Sequence, residues 1–248
     1  MPHDPVFDST ENQALLVVCA RRTIRGGAIA GIIWGAINFI IGLAALQVNL
    51  LNLGMVALGL IMLGTGITAL TKPSLHALLA EAVVSWLLFI WNAGTTVLNV
   101  NQGYTAHLNW HGLVVPLIAA VVFLKQYRKL GHLKDAIATM DRKTVAEASK
   151  VCKELFKTRV KTSPDVAEAS SQRCRVRFMS DSVFCAQRNL ARAFHMSMAN
   201  FQRSITDPQG KRIRLVVQHP LGKVTYAFDK KNSEKIKGWL RAPTTQTA

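Results

Sequence analysis

Hydrophobic residues dominate the first half of the chain. From Gly26 to Thr71 there is no charged side chain, a run far longer than the roughly 20 residues one helix needs to cross a hydrocarbon core. Three amides interrupt it at Gln47-Val48-Asn49-Leu50-Leu51-Asn52. The pattern predicts a first span over about 27–47 and a second over about 51–71. Lys72-Pro73-Ser74 ends the second, because proline disfavours helical backbone at the residue before it. A third apolar run predicts a span over 78–98, and a polar stretch follows from Asn99 to Asn109. The fourth span, about 108–124, is built on Gly112–Leu124 and contains Pro116. Unpaired backbone groups are not tolerated in lipid, so such spans are helices. Residues 1–25 read as an N-terminal flank, polar and loose over 1–12, with a short helix over 13–25 leading into the first span. A cleaved signal peptide is the competing reading of that span, because Arg21, Arg22 and Arg25 precede it; the length of the run argues against it.

After Leu124 the period changes. Residues 125–161 read as a basic amphipathic helix, with Asp141 as a possible cap, Thr144 and Glu147 as a possible capping box, and Val145, Ala148, Cys152, Leu155 and Phe156 at helical spacing. Thr162-Ser163-Pro164-Asp165 makes a linker. From Gln172 apolar and polar residues alternate. Cys174, Val176 and Phe178 against Arg173, Arg175 and Arg177 predict a half-buried strand with an arginine face. Val183–Ala186 reads as a second strand, and residues 190–206 as one or two more, containing Phe194, Met196, Met198 and Phe201. Ile213, Leu215 and Val217, then Val224, Tyr226 and Phe228, predict two further strands. A helix from Asp229 carries Ile236, Trp239 and Leu240. Residues 242–248 form a tail. The predicted fold is an α-helical membrane bundle of four transmembrane helices plus a small cytoplasmic α+β domain, an antiparallel sheet with a C-terminal helix.

Charge sharpens the division. The chain has 248 residues, mean hydropathy +0.20 and net charge +16. Residues 1–120 hold four basic and four acidic side chains, so the whole excess lies in the second half. This excludes one uniform globular core and excludes general disorder. Lys and Arg flank the first span, occur as Lys72 in the second connection, and return as Lys125, Arg128, Lys129 and Lys134 after the fourth span. The connections 47–52 and 99–111 have none. That alternation predicts four spans with both termini cytoplasmic, in an inner (plasma) membrane.

Within the spans, Gly27, Gly31 and Gly35 form two successive GxxxG steps, and Gly59 with Gly66 makes a second small face. Such faces serve either packing within the chain or a homodimer seam. Glu81 is the only acid in the spans. It reads as a structural or snorkelling carboxylate that reaches water or pairs with Lys72, with a proton carrier as the alternative. His107 and His111 stand four apart, but no third ligand lies near, so no metal site is expected.

The stretch Arg177–Phe184, the strand–turn–strand Lys211–Phe228 and the helix Lys230–Leu240 resemble the bacterial PH-like domains, relatives of the pleckstrin-homology and GRAM folds. The likeness covers residues 172–241. It implies a binding or scaffolding module and transfers no phosphoinositide site.

No GxxxxGK[ST], GxGxxG, GxSxG or HExxH occurs. Cys19, Cys152, Cys174 and Cys185 form no CxxC pair, so disulfides and zinc are not expected, nor is any cofactor or catalytic residue. The leading expectation is a scaffold or regulatory membrane protein. Lys125, Arg128, Lys129, Lys134, Arg173, Arg175 and Arg177 are its candidate contacts to anionic lipid headgroups or a protein partner. A small transporter or channel is the first alternative, for which Asn38 and Asn92 should face one cavity. A membrane-tethered nucleic-acid binder is the second, and it is disfavoured because the aromatics of the strands alternate with the arginines.

Overall fold

A computed structural model describes residues 9–46, 50–101, 110–157, 168–170, 174–179, 182–187, 192–206 and 212–241. The chain divides into two compact units. One comprises Arg21–Ala138, the other Met1–Ala20 together with Thr139–Ala248.

The Arg21–Ala138 unit is helical. It contains most of α1 (Thr10–Leu46), then α2 (Leu53–Thr71), α3 (Leu75–Asn101) and α4 (Trp110–Leu130). Among the described residues, three helices are long and apolar enough to cross a membrane: α1, α2, and α3 over Leu75–Leu98. The segment expected as a fourth span forms helix α4, with Pro116 inside it and Arg128 and Lys129 in its last turn. It is not among those three, because its apolar run closes at Lys125. From Arg21 onward the buried positions of α1 are Ile24, Ala28, Gly31, Gly35, Asn38 and Gly42, while Ile29, Ile33, Ile37, Ile40 and Ile41 are exposed. The spacing of three and four is that of one helical face. From Ala28 to Gly42 the inner face holds the small and polar residues, the outer face the large aliphatic ones.

The segment read as one basic helix over 125–161 is instead three pieces. Helix α4 ends at Leu130, α5 spans Lys134–Thr139, and α6 spans Arg142–Lys157. The predicted cap is present: Asp141 Oδ2 accepts from the Lys143 and Thr144 amides at 3.0 and 3.3 Å. Asp141 thereby starts a new helix and ends any continuation of the previous one.

The second unit contains two antiparallel sheets. Strands β1 (Glu168–Ser170), β2 (Cys174–Phe178), β3 (Ser182–Gln187) and β4 (Ala193–Ser197) pair in sequence order. Strands β5 (Ile205–Thr206), β6 (Arg214–Val217) and β7 (Val224–Ala227) form the other sheet. Helix α7 (Met198–Arg203) joins the sheets, and α8 (Lys230–Arg241) follows β7. Strand β1 had no expectation. Met198 and Phe201, expected in a strand, lie on α7. Ser197 ends the alternation there, because its hydroxyl accepts from the Asn200 amide and caps the helix.

Alternation sorts the first sheet into two faces. Cys174, Val176 and Phe178 share one face with Val183, Cys185, Phe194 and Met196, and all are buried. Phe178 stacks on Trp239 of α8 at 5.0 Å and meets Phe201 of α7 edge-on at 5.5 Å. The opposite face carries Arg175 and Arg177, then Phe184 and Ala186, then Ala193 and His195.

Phe184, Ala186 and Ala193 are fully buried on that opposite face, so it is covered rather than solvated. Part of the cover is the start of α1. The expectation that residues 1–12 are loose fails for 9–12, since the helix begins at Thr10 and the Ser9 hydroxyl accepts from the Asn12 amide; residues 1–8 lie outside the described residues. Every residue from Ala14 to Ala20 is buried. Asn12 pairs both ways with the β4 backbone: its Nδ2 donates to His195 O at 2.9 Å, and His195 N donates to its Oδ1 at 2.7 Å. The carboxamide thus takes the place of a neighbouring strand at a sheet edge. Helix α6 lies against β2 and buries Val145 and Cys152, so its apolar stripe packs on the sheet unit.

Candidate functional site

The predicted basic contacts fall into two groups. Lys125, Arg128, Lys129 and Lys134 are exposed on α4 and at the start of α5. Arg175 and Arg177 are half-buried on β2 and already engaged, with Arg177 opposite Glu168 in the β1–β2 register. Arg173 lies outside the described residues. Lys129 is engaged as well, so Lys125, Arg128 and Lys134 have the charge and the accessibility that a contact to phosphate headgroups needs.

The predicted glycines are in close helix contacts within the chain. A Cβ on Gly35 would stand 2.8 Å from Leu63 N and 2.9 Å from Gly59 O; one on Gly59 would stand 2.7 Å from Phe39 N. Helices α1 and α2 therefore meet backbone to backbone there. Gly66 extends the seam to Ala28 and Ile32, and Gly27 faces Leu78 and Phe123. Gly31 faces the Glu81 carboxyl of α3.

Glu81 does not behave as the sequence suggested. It is 1 % exposed, so it neither reaches water nor snorkels. Its Oε1 accepts from the Thr65 hydroxyl at 2.8 Å, and Oε2 has no partner. No ion pair with Lys72 forms. Ser85, one turn along the same face of α3, is fully buried and its hydroxyl also has no partner. Sequence gave no sign of this cluster, because the space for the carboxyl comes from the missing side chain of Gly31 on another helix. Asn38 and Asn92 do not join it. Asn38 donates to Trp34 O at 2.8 Å within α1, and Asn92 donates to Gly112 O at 2.7 Å.

In the sheet unit, burial governs the titratable groups. Desolvation pushes the Cys152 thiol up to about 11 and the Cys174 thiol to about 12, and raises Cys185 well above its usual range. Thiols held protonated are poor nucleophiles and poor metal ligands. Arg192 donates to Leu221 O; burial lowers its pKa, against the raising effect of Cys19 and Tyr226 beside it. Burial also lowers the pKa of His195, partly offset by Glu11, whose carboxylate lies 3.1 Å from Nε2. The ring stacks on Phe184 at 4.4 Å. His219 Nδ1 accepts from Leu221 N at 3.1 Å and shapes the turn before β7, where Gly222 takes φ 107°. Among the described residues there is no group of three or more His, Cys, Asp or Glu able to hold a metal. His107 lies outside the described residues.

No protein-family model matches the chain, and no curated protein or solved structure matches it.

Proposed function

We propose that this is a four-span inner-membrane protein with both termini cytoplasmic. Its cytoplasmic unit is a PH-like interaction module that sits at the anionic membrane surface and binds a protein partner. The observation that carries the reading is the composition of the sheet unit, which takes in both ends of the chain. Segments that fold together lie on one side of a membrane, so an even number of crossings separates them. Helices α1, α2 and α3 supply three apolar crossings, and α4 is the helix available for the fourth. The basic connections assign the shared side to the cytoplasm. Seven strands in sheets of four and three, followed by α8, support the PH-like reading. The exposed Lys125, Arg128, Lys129 and Lys134 each contribute about 1 kcal/mol of attraction to anionic lipid, and salt screens it beyond about 8 Å.

The test is cysteine accessibility in intact cells. Single cysteines engineered at 47–52 and 99–109 should react with an impermeant maleimide from outside. Reaction at 72–76 instead overturns the topology. Lipid contact is tested on the full chain in nanodiscs, because a fragment starting at residue 125 lacks the part of α1 that covers the sheet. Replacing the four basic residues with Gln should abolish the dependence of cytoplasmic protease protection on anionic lipid. Unchanged protection in the variant counts against a lipid-facing role.

A further inference from the structure

We propose that Glu81, with Thr65 and Ser85, forms an intrabundle binding site for one monovalent cation, a proton or an alkali-metal ion. The shared chemistry is neutralisation of a single carboxylate by a single positive charge among hydroxyl oxygens. This goes beyond the scaffold reading and does not depend on the PH-like module.

Three observations carry it. The first is the absence of a counter-charge. Glu81 is 1 % exposed, its one described partner is a neutral hydroxyl, and the groups facing it are Gly31 from α1 and Thr65 from α2. The charged residues of the surrounding helices stand away along their axes. Arg25 is six residues from Gly31, Lys72 seven from Thr65, and His76 five from Glu81, or roughly 7–10 Å at 1.5 Å per residue. On α4, Phe123 is the inward residue and Lys125 is exposed. A bare carboxylate in such surroundings is strongly disfavoured, and proteins avoid it by binding a cation or a proton.

The second is unused coordination. Glu81 Oε2 and Ser85 Oγ are both buried without a partner, and a spacing of four places them on one face of α3. The third is that room is made for the carboxyl. A Cβ on Gly31 would stand 2.5 Å from Oε1 and 2.7 Å from Oε2, so α1 carries no side chain where the carboxyl lies. Gly31, Thr65 and Glu81 come from three helices and lie at one level of the bundle, so the site requires the assembled fold.

The experiment is thermal unfolding of the full chain in detergent, with pH varied at fixed choline chloride in one arm and Na+ exchanged for choline at fixed pH in the other. A bound cation stabilises by mass action, so the midpoint should rise by about 3–5 °C per tenfold increase of the true ligand. Glu81→Gln, which removes the charge and keeps the shape, should lose that response. A response to pH alone identifies the proton; a response to Na+ at constant pH identifies an alkali ion. Thr65→Val keeps the carboxyl but removes a donor to its ionised form; it should weaken a response to Na+ and move a proton response to higher pH, which serves if Glu81→Gln does not fold. Identical responses in the parent and in whichever of these variants folds overturn the proposal, as does a parent that responds to neither.

Discussion

The two units obey opposite rules about what goes inside. In the Arg21–Ala138 unit the large aliphatic side chains from Ile29 to Val122 are exposed in number, and glycines, Ala28, Asn38, Ser85 and Glu81 share the interior with Ile24, Met62, Leu78 and Leu88. In the sheet unit, among the described residues, only Val151 and Met179 are exposed large hydrophobics, and Phe178, Phe184, Phe194, Phe201 and Phe228 are fully buried. Water drives the second arrangement, because apolar area removed from it is stabilising. Lipid offers no such drive between helices, so the first relies on close backbone approach and a few hydrogen bonds. Where a large side chain sits therefore tells which solvent it was selected against.

The comparison can be broken by substitution. The largest effect is expected at Phe178→Ala, which removes the ring joining the sheet to α7 and α8. It should cost about 3–5 kcal/mol, read as the loss of protease resistance of residues 139–241 in the full chain. Ile40→Ala, at a position 64 % exposed, should leave detergent stability within about 0.5 kcal/mol. Equal losses at the two positions would mean that Ile40 is packed against something in solution.

Next comes the seam. Gly35→Leu pushes a side chain into the α2 backbone and should cost about 3 kcal/mol. Gly31→Leu meets the Glu81 side chain, which has some freedom to move, so it should cost less. Both should exceed Leu43→Ala, which lies on the exposed face. The ranking is checked by melting in detergent, and a Leu43→Ala effect as large as that of Gly35→Leu would remove the seam as the basis of packing.

How much of this was readable in sequence follows the same division. Absence of charge marks the apolar helices, strict alternation marks β2, β6 and β7, and a short apolar run marks β3, because these patterns are local. Helix α1 was misdivided. Leu15-Leu16-Val17-Val18 reads as a lead-in to a span, although a helix apolar all round is a buried one, and nothing local says that a sheet more than 150 residues later buries it. Helix α7 was lost because Met196 and Met198 continue a strand-like alternation past the cap at Ser197. The Glu81 cluster had no local signal, since its cavity belongs to Gly31.

Smaller effects test the contact between α1 and β4. Asn12→Ala leaves His195 N and O without their partner and should cost about 1–2 kcal/mol, seen as faster amide exchange at His195. Smallest is the pH response. The folded pKa of His195 lies below its ordinary 6.5, so on acidification the unfolded chain takes up the proton first. Stability from this group is present above about pH 6.5 and is lost as pH falls through the folded value. Measured as protease resistance of the sheet unit, the loss should flatten in His195→Gln. A sheet unit that gains stability between about pH 7 and 5 would reverse the sign and place Glu11 ahead of burial as the dominant influence.

The sharing of the sheet unit between the two ends of the chain also sets an order of events in biosynthesis. Ala14–Ala20 leave the ribosome first, yet β4 is complete only at Ser197. At about 5–20 residues per second, the helix waits roughly 10–35 s for its sheet. In the topology proposed above, the helices between them enter the membrane in that interval, so the sheet unit cannot close until insertion has delivered both segments to one compartment. A chain inserted with one crossing too few or too many leaves Leu15, Leu16 and Val17 on one side and β4 on the other. Under that proposed topology, closure of the sheet unit works as a parity check on insertion, and a misinserted chain exposes an apolar helix open to proteolysis.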